Sequence, residues 1–168
     1  IVGRLSRMGS DIAKGAYSVR DFRDLANILT ASESLEREHV LLGMGPLGMI
    51  TRIRQSVLGN SFTFAYVGEP TAPGQLSLEE MRALGENCMI TGIVGYPLGR
   101  SMSPAMHTAA YRESGIRGKY LAFPSPSLDL IEECIRGYGI RGLNVTVPYK
   151  TAMIGHLDRL SGDAEEAG

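Results

Sequence analysis

Cysteine is scarce. Cys88 and Cys134 are the only two, 46 positions apart (88 to 134). They form no CxxC pair and no disulfide framework of a small secreted domain, which points to a reducing compartment. An excess of charge is missing as well. Seventeen Lys and Arg against eighteen Asp and Glu leave a net charge of −1, so no basic surplus speaks for nucleic acid and no acidic run for a tail. No apolar run approaches the ~20 residues of a membrane helix, and no signal peptide is seen. Repeats and low-complexity tracts are absent. The chain begins at Ile1 rather than Met and stops after "GDAEEAG". Both ends read as cut, so the chain is expected to be an internal piece of a longer protein. What is present, 43% apolar residues in a length of 168, suits one ordinary globular domain or two small ones.

Apolar runs alternate with helical patterns. "DIAKGAY" (11–17), "HVLLGMG" (39–45), "SFTFAYV" (61–67), "MITGIVGYP" (89–97), "KYLAFP" (119–124) and "GLNVTVP" (142–148) read as strands. Ser18 and Asp21 open a helix with Val19, Phe22, Leu25, Ile28 and Leu29 at helical spacing. A short helix is expected within 46–59. Ser77 with Glu80 predicts a capping box for a helix through Leu84. Ser103-Pro104 and Ser125-Pro126 open two more, the second stopped by Gly139. The alternation predicts parallel βα units, an α/β fold.

Several polar residues stand out from this background. Lys14 is the odd residue inside an otherwise apolar strand. A lysine in apolar surroundings has its ammonium form disfavoured, and a neutral amine attacks carbonyls to form a Schiff base. Taken alone, the same lysine fits a solvent-facing strand end better. Arg52 carries a planar fork suited to a carboxylate, although a surface arginine reads the same way. In "TAPGQ" (71–75), Thr71 and Gln75 supply hydrogen-bonding groups that a Pro-Gly turn does not need. His39 reads as a capping or surface residue at a strand start. Ser101 and Ser103 precede a helix, where free N–H groups favour an anion, although capping alone explains Ser103. Thr146 and Lys150 stand at the C-terminal edge of the last strand, where open α/β sheets bind ligands; both also read as ordinary exposed residues.

In order and spacing, "DIAKGAY", "GMGPLGMITR", "GNSFTFAYV" and "TAPGQLSLEEMRAL" resemble the C-terminal part of type I 3-dehydroquinate dehydratase. The resemblance implies the last three strands of a (β/α)₈ barrel over residues 1–86. It implies Lys14 as the imine lysine, Arg52 as the carboxylate binder, and Thr71 and Gln75 on a lid loop. Thr71 and Thr51 stand where that family has Ser. The histidine of that family's acid–base pair matches none of His39, His107 or His156. From residue 87 to 168, "GIVGYPLGRSMSPAMH" and "IRGLNVTVPYK" resemble the N-terminal substrate domain of shikimate dehydrogenase. There the resemblance implies Ser101, Ser103 and Thr146 as substrate binders and Lys150 in proton transfer.

Together the two resemblances imply part of a bifunctional shikimate-pathway enzyme. It would dehydrate 3-dehydroquinate without a cofactor and then reduce 3-dehydroshikimate with NADP as cofactor. Small acids are the expected partners, with neither nucleic acid, membrane nor metal. No GxGxxG loop is present, and "GMGPLG" (43–48) belongs to the barrel pattern. NADP would therefore be held by a domain outside this chain. Cytoplasm is the expected compartment, or a plastid for a plant parent. Action on quinate, and a non-catalytic remnant that binds such acids, are the alternatives; a general class I aldolase leaves "TAPGQ" and the second half unexplained.

Overall fold

The computed structural model describes residues 1–7, 9–99 and 101–167. After a one-turn helix α1 (Val2–Leu5), strand β1 (Ala13–Ser18), helix α2 (Phe22–Glu33) and strand β2 (His39–Met44) form a βαβ unit. β1 and β2 are parallel, with Lys14 beside Val40 and Ser18 beside Met44. A 3₁₀ turn at Leu47–Met49 runs into the short helix α3 (Ile50–Ile53), and α4 (Leu78–Leu84) closes this half. A second sheet follows: β3 (Met89–Gly95), α5 (Ser103–Glu113), β4 (Gly118–Pro124), α6 (Ile131–Tyr138) and β5 (Ile140–Val145). A 3₁₀ turn at Ala152–His156 and helix α7 (Gly162–Ala167) end the chain. This sheet is parallel throughout, in the order β4-β3-β5. The architecture is α/β with two separate parallel sheets, and the strands described do not close a barrel.

The local signals that hold are the short-range ones. The capping box is complete: the Ser77 hydroxyl accepts from the Glu80 N–H and the Glu80 carboxylate from the Ser77 N–H, both at 3.1 Å. Gly139 ends α6 at φ 64°, a conformation that favours glycine. Other helix starts differ from expectation. Asp21 alone caps α2, accepting from the Asp24 N–H at 2.9 Å. Ser103 lies inside α5, whose N-cap is Met102. Ser125 and Pro126 form a turn, because the Ser125 hydroxyl donates to the Ser127 carbonyl at 2.6 Å, and α6 starts only at Ile131.

The expected third strand at 61–67 is not formed; that segment takes part only in an isolated bridge at Tyr66. The outer edge of β2 shows why. His39, Leu41 and Gly43 present their backbone groups away from β1, and a neighbouring strand would have to use them. The Ser61 N–H donates to the His39 carbonyl at 2.9 Å, the last backbone bond of this edge. At Leu41 the Asn60 amide takes both positions, accepting from the N–H at 2.7 Å and donating to the carbonyl at 2.9 Å. Thr51 accepts from the Gly43 N–H at 2.8 Å, and Arg52 donates to the Gly43 carbonyl at 2.5 Å. Three side chains thus stand in for a strand.

A single apolar core runs through both sheets. Its centre is the contact of α2 with α6. Phe22 stacks on Phe123 with ring centroids 5.9 Å apart. The Tyr138 hydroxyl donates to the Leu25 carbonyl at 3.0 Å, and the Cys134 thiol to the Phe22 carbonyl at 3.2 Å. Burial pushes the Cys134 thiol up to about 12. At Gly137 the helices touch: a Cβ there would fall 2.2 Å from Leu29 Cδ2. Arg54 fastens the seam from the side. Its guanidinium donates to the Tyr138 carbonyl at 3.0 Å, at the C-terminal end of α6, to Cys88 at 2.6 Å, and to the Glu86 carbonyl. Across the seam, Lys119 pairs with Glu80 at 2.9 Å. Burial raises the Glu80 pKa, but the bonds from Lys119 and Ser77 outweigh it and hold the carboxyl below its ordinary value.

Two outcomes follow for stability. Arg54→Ala removes three charge-assisted bonds and is expected to cost roughly 3 kcal/mol, seen as a fall in Tm of about 6–12 °C. An unchanged Tm would mean the guanidinium is idle. Because the folded Glu80 pKa is depressed, its contribution is present above the unfolded value of about 4.3 and is lost as pH falls through the folded one. Melting curves against pH should therefore fall more steeply below about pH 4 for the native chain than for Glu80→Gln. Parallel curves would remove the carboxylate from the seam.

Candidate active sites

The first candidate site lies on the β1–β2 sheet. Lys14, Ala16 and Ser18 share its exposed face. The Lys14 ammonium sits over the Phe64 ring, 4.2 Å from its centroid, and Phe62 meets Phe64 edge-on at 5.4 Å. Lys14 is therefore an exposed lysine under one aromatic face rather than a lysine sunk in apolar surroundings. β1 and β2 form a sheet of two strands, too small to curl round and enclose the lysine.

Arg52 has the opposite environment. It is 3% exposed, and its Nε has no hydrogen-bond partner. Burial lowers its pKa, and among the described residues no carboxylate pairs with it. A buried cation with an unused donor suits an anionic ligand. Thr51, fully buried beside it, spends its hydroxyl on the Gly43 N–H and the Gly48 carbonyl.

The "TAPGQ" loop docks on the same end of β2. The Gly45 N–H donates to the Pro73 carbonyl at 3.3 Å. Gly74, at φ 81°, lies where a Cβ would fall 2.3 Å from the Gly45 carbonyl oxygen. Gln75 Oε1 accepts from the Thr71 N–H at 2.8 Å, the Thr71 hydroxyl at 3.1 Å and the Ala72 N–H at 3.1 Å. Thr71 and Gln75 thus hold the loop's own shape, and the Gln75 amide N–H groups and the acceptor side of the Thr71 hydroxyl remain for a ligand. Arg52 and the loop meet at the C-terminal end of β2, beyond Gly43. Lys14 is level with Val40, roughly 10–15 Å earlier along the strand. No hydrogen bond joins it to either among the described residues.

The second candidate site follows from strand order. In β4-β3-β5 the chain leaves the central strand to one side and returns on the other. Such a switch point opens a crevice beyond the carboxyl ends of β3 and β5. The loop after β3 carries Ser101 and leads to Ser103; the loop after β5 carries Thr146 and Lys150. The two loops are tied together. The Thr146 N–H donates to the Val94 carbonyl at 3.0 Å, and the Tyr96 N–H to the Val147 carbonyl at 3.1 Å. Gly95 permits the approach, since a Cβ there would meet Thr146 Cγ2 at 2.5 Å. The Tyr149 hydroxyl donates to the Ser125 carbonyl at 2.9 Å, anchoring the β5 loop to the end of β4. Ser101 Oγ accepts from the Ser103 N–H at 3.3 Å, so Ser101, not Ser103, supplies the capping oxygen. Lys150 is exposed and has no ion pair among the described residues.

Tyr120 was not anticipated. It is 3% exposed, its ring stacks on His107 at 4.3 Å, and its hydroxyl makes no hydrogen bond of good geometry. Burial raises its pKa, and the Asn144 side chain on the same sheet face offsets part of that. The signal for it was slight: a phenol in an otherwise apolar run. The other histidines are structural. His39 is buried rather than at the surface, its ring nitrogens at the Arg37 and Leu58 carbonyls, 2.7 and 2.9 Å away. His156 pairs with Glu132 at 3.0 Å. No metal-binding cluster occurs among the described residues, and no helix there is long and apolar enough to cross a membrane.

Comparison with known proteins fits both halves. Residues 1–86 match the family model for type I 3-dehydroquinase, and residues 93–168 match that for the shikimate dehydrogenase substrate binding domain. The chain belongs to the bifunctional dehydroquinate dehydratase/shikimate dehydrogenase family. It is 27% identical over 176 residues to the chloroplastic bifunctional 3-dehydroquinate dehydratase/shikimate dehydrogenase of Arabidopsis thaliana, covering 100% of the chain and 29% of that relative. Over 79 residues it is 48% identical to the NADP(+) shikimate dehydrogenase of Thermococcus kodakarensis, covering 46% of the chain and 29% of the relative. A solved structure of dehydroquinate dehydratase and shikimate dehydrogenase from S. pombe AroM matches at 26% identity and TM-score 0.45, covering 93% of the chain and 31% of that protein. The chain spans about a third or less of the length of these relatives.

NADP stands in the name of the Thermococcus relative, but "GMGPLG" does not fit a dinucleotide in this family member. A Cβ on Gly43 would fall 2.7 Å from Gly48 Cα. The two glycines serve each other's backbones, and a 3₁₀ turn with a four-residue helix follows them. The residues present form no pyrophosphate cradle there.

Arg52 carries a test of binding against folding. Arg52→Met relieves a buried cation with an unused donor but strips the Gly43 carbonyl of its partner, so the two effects are expected to offset to within about 1 kcal/mol, a change in Tm of no more than about 4 °C. Thermal melts check this, and a large fall would make Arg52 a structural residue first.

Proposed function

We propose that this chain supplies parts of two active sites of a shikimate-pathway enzyme, with residues 1–86 serving the dehydratase and 87–168 the dehydrogenase. The observation that carries the reading is the separation of the polar residues. They divide between two parallel sheets and the loops and helix starts beside them, and each half has a lysine and a carboxylate-binding candidate.

On the first sheet, the Lys14 amine attacks the ketone of 3-dehydroquinate and water leaves, giving an imine. The imine withdraws electrons from the neighbouring carbon, which loses a proton as the ring hydroxyl departs as a second water. Hydrolysis then returns the amine and releases 3-dehydroshikimate. Arg52 holds the carboxylate through donors that burial keeps from water. Thr71 and Gln75 cover the ligand on a loop already closed on itself.

At the switch-point crevice, Ser101, Ser103 and Thr146 hold the carboxylate and hydroxyls of 3-dehydroshikimate, and Lys150 gives a proton to the ketone oxygen as it becomes shikimate's hydroxyl. The nicotinamide cofactor, NADP in this reading, lies outside the residues of this chain, whose part is substrate holding and proton delivery. A reducing compartment, cytoplasm or plastid, suits two free buried cysteines.

The test uses an enzyme of the relatives' full length that carries these residues. Borohydride added with 3-dehydroquinate should fix the substrate carbons on Lys14, and Lys14→Ala should leave shikimate oxidation nearly intact. Label on another lysine would overturn the assignment. Lys150→Ala should mainly lower kcat, whereas Ser101→Ala should mainly raise KM, by about ten- to a hundredfold for one bond to a charged group. A change in KM alone for Lys150→Ala would make it a binding residue.

A further inference from the structure

Between the two halves a cleft of about 780 Å³ opens beside α4 and α5, reaching Tyr120 and Pro104. Met49 and Leu84 form one wall, and Ala105 and Ala109 of α5 the other. The α5 wall is under-filled: α5 has no buried residue along its eleven positions, and the alanines leave space that longer side chains would take.

The charges at this cleft are unequal. Glu80 and Lys119 neutralise each other at 2.9 Å, and Glu80 also accepts from the Ser77 N–H. That leaves Arg112 and Arg117 at the lining. Arg112 touches only its neighbour Glu113, at 3.4 Å with both side chains more than three-quarters exposed, a contact of little worth in water. Arg117 has no ion pair among the described residues. The cleft therefore combines apolar walls with a surplus of positive charge at its lining, and its volume is that of a small-molecule site.

We propose that this seam cleft binds a small aryl carboxylate, its ring between Met49, Leu84 and the α5 alanines and its carboxylate at Arg112 and Arg117. Such a ligand touches both halves at once, so binding stabilises the seam and raises the melting temperature with ligand concentration. None of the residues proposed for catalysis or substrate holding lines this cleft, and the proposal does not depend on their assignment.

The probe is 2-naphthoate, titrated into the 168-residue chain by calorimetry. Saturable one-to-one binding is expected, with Kd on the order of 10–100 μM. Ala109→Phe fills the cleft from an exposed helix position and should weaken binding at least tenfold; Arg117→Glu should do the same by charge reversal. The cation 2-naphthylmethylammonium should bind the native chain at least tenfold more weakly than 2-naphthoate. Equal affinity of both variants and the native chain, equal binding of the cation, or non-saturating uptake would each overturn the proposal. A concentration-dependent dimer that excludes 2-naphthoate would overturn it too, by assigning the cleft to a second copy of the chain.

Discussion

Tyr138 buries a phenol between α2 and α6 and donates its hydrogen to the Leu25 carbonyl, while Cys134, one turn earlier, reaches the Phe22 carbonyl. Both bonds connect the one long helix of the first sheet to the second. Neither sheet is large enough to build a deep core alone: one has two strands and the other three. Their apolar faces become a single core only because these helices lie against each other. Arg54 guards the edge of that contact, satisfying carbonyls at the end of α6 and at the start of β3 that would otherwise stay unpaired. The relative placement of the two polar groups is a by-product of this seam.

Arg52 and Arg54 are two residues apart in one short segment and face different tasks. Arg54 is half-buried and saturated with carbonyl acceptors. Arg52 is buried and under-used, with one bond to Gly43 and a bare Nε. The first arrangement stabilises the fold; the second is a cost that an anionic ligand would relieve. Arg52 nevertheless holds the Gly43 carbonyl at the edge of β2, so the candidate ligand-binding residue of the first sheet also takes part in the bonding that keeps the chain folded.

Local chemistry was readable from the sequence, and contact-dependent chemistry was not. The Ser77–Glu80 box and the Gly139 stop involve neighbours within four residues, so spacing alone revealed them. Strands β1 to β5 were legible because each is an apolar run between turns. The 61–67 segment looked the same, yet Asn60, Thr51 and Arg52 had already taken the edge it needed, and no composition reveals that. Ser125-Pro126 imitates a helix start whose signal is spent on a turn. Of the site residues, Ser101, Ser103, Thr146 and Lys150 lie on or next to the two loops that follow β3 and β5, as strand order requires. Lys14 remains apart from Arg52 and the loop. Tyr120 and His39 were missed or misjudged because their roles depend on burial.

Gly137 and Leu29 have a history implied in their contact. A Cβ at 137 would press on the tip of Leu29, so a larger residue at 137 must push that half-buried side chain aside or be met by a smaller one. Two segments joined in this way do not vary wholly independently at their meeting face. The fusion is then a shared constraint on drift, in which a change accepted by one partner limits what the other can become.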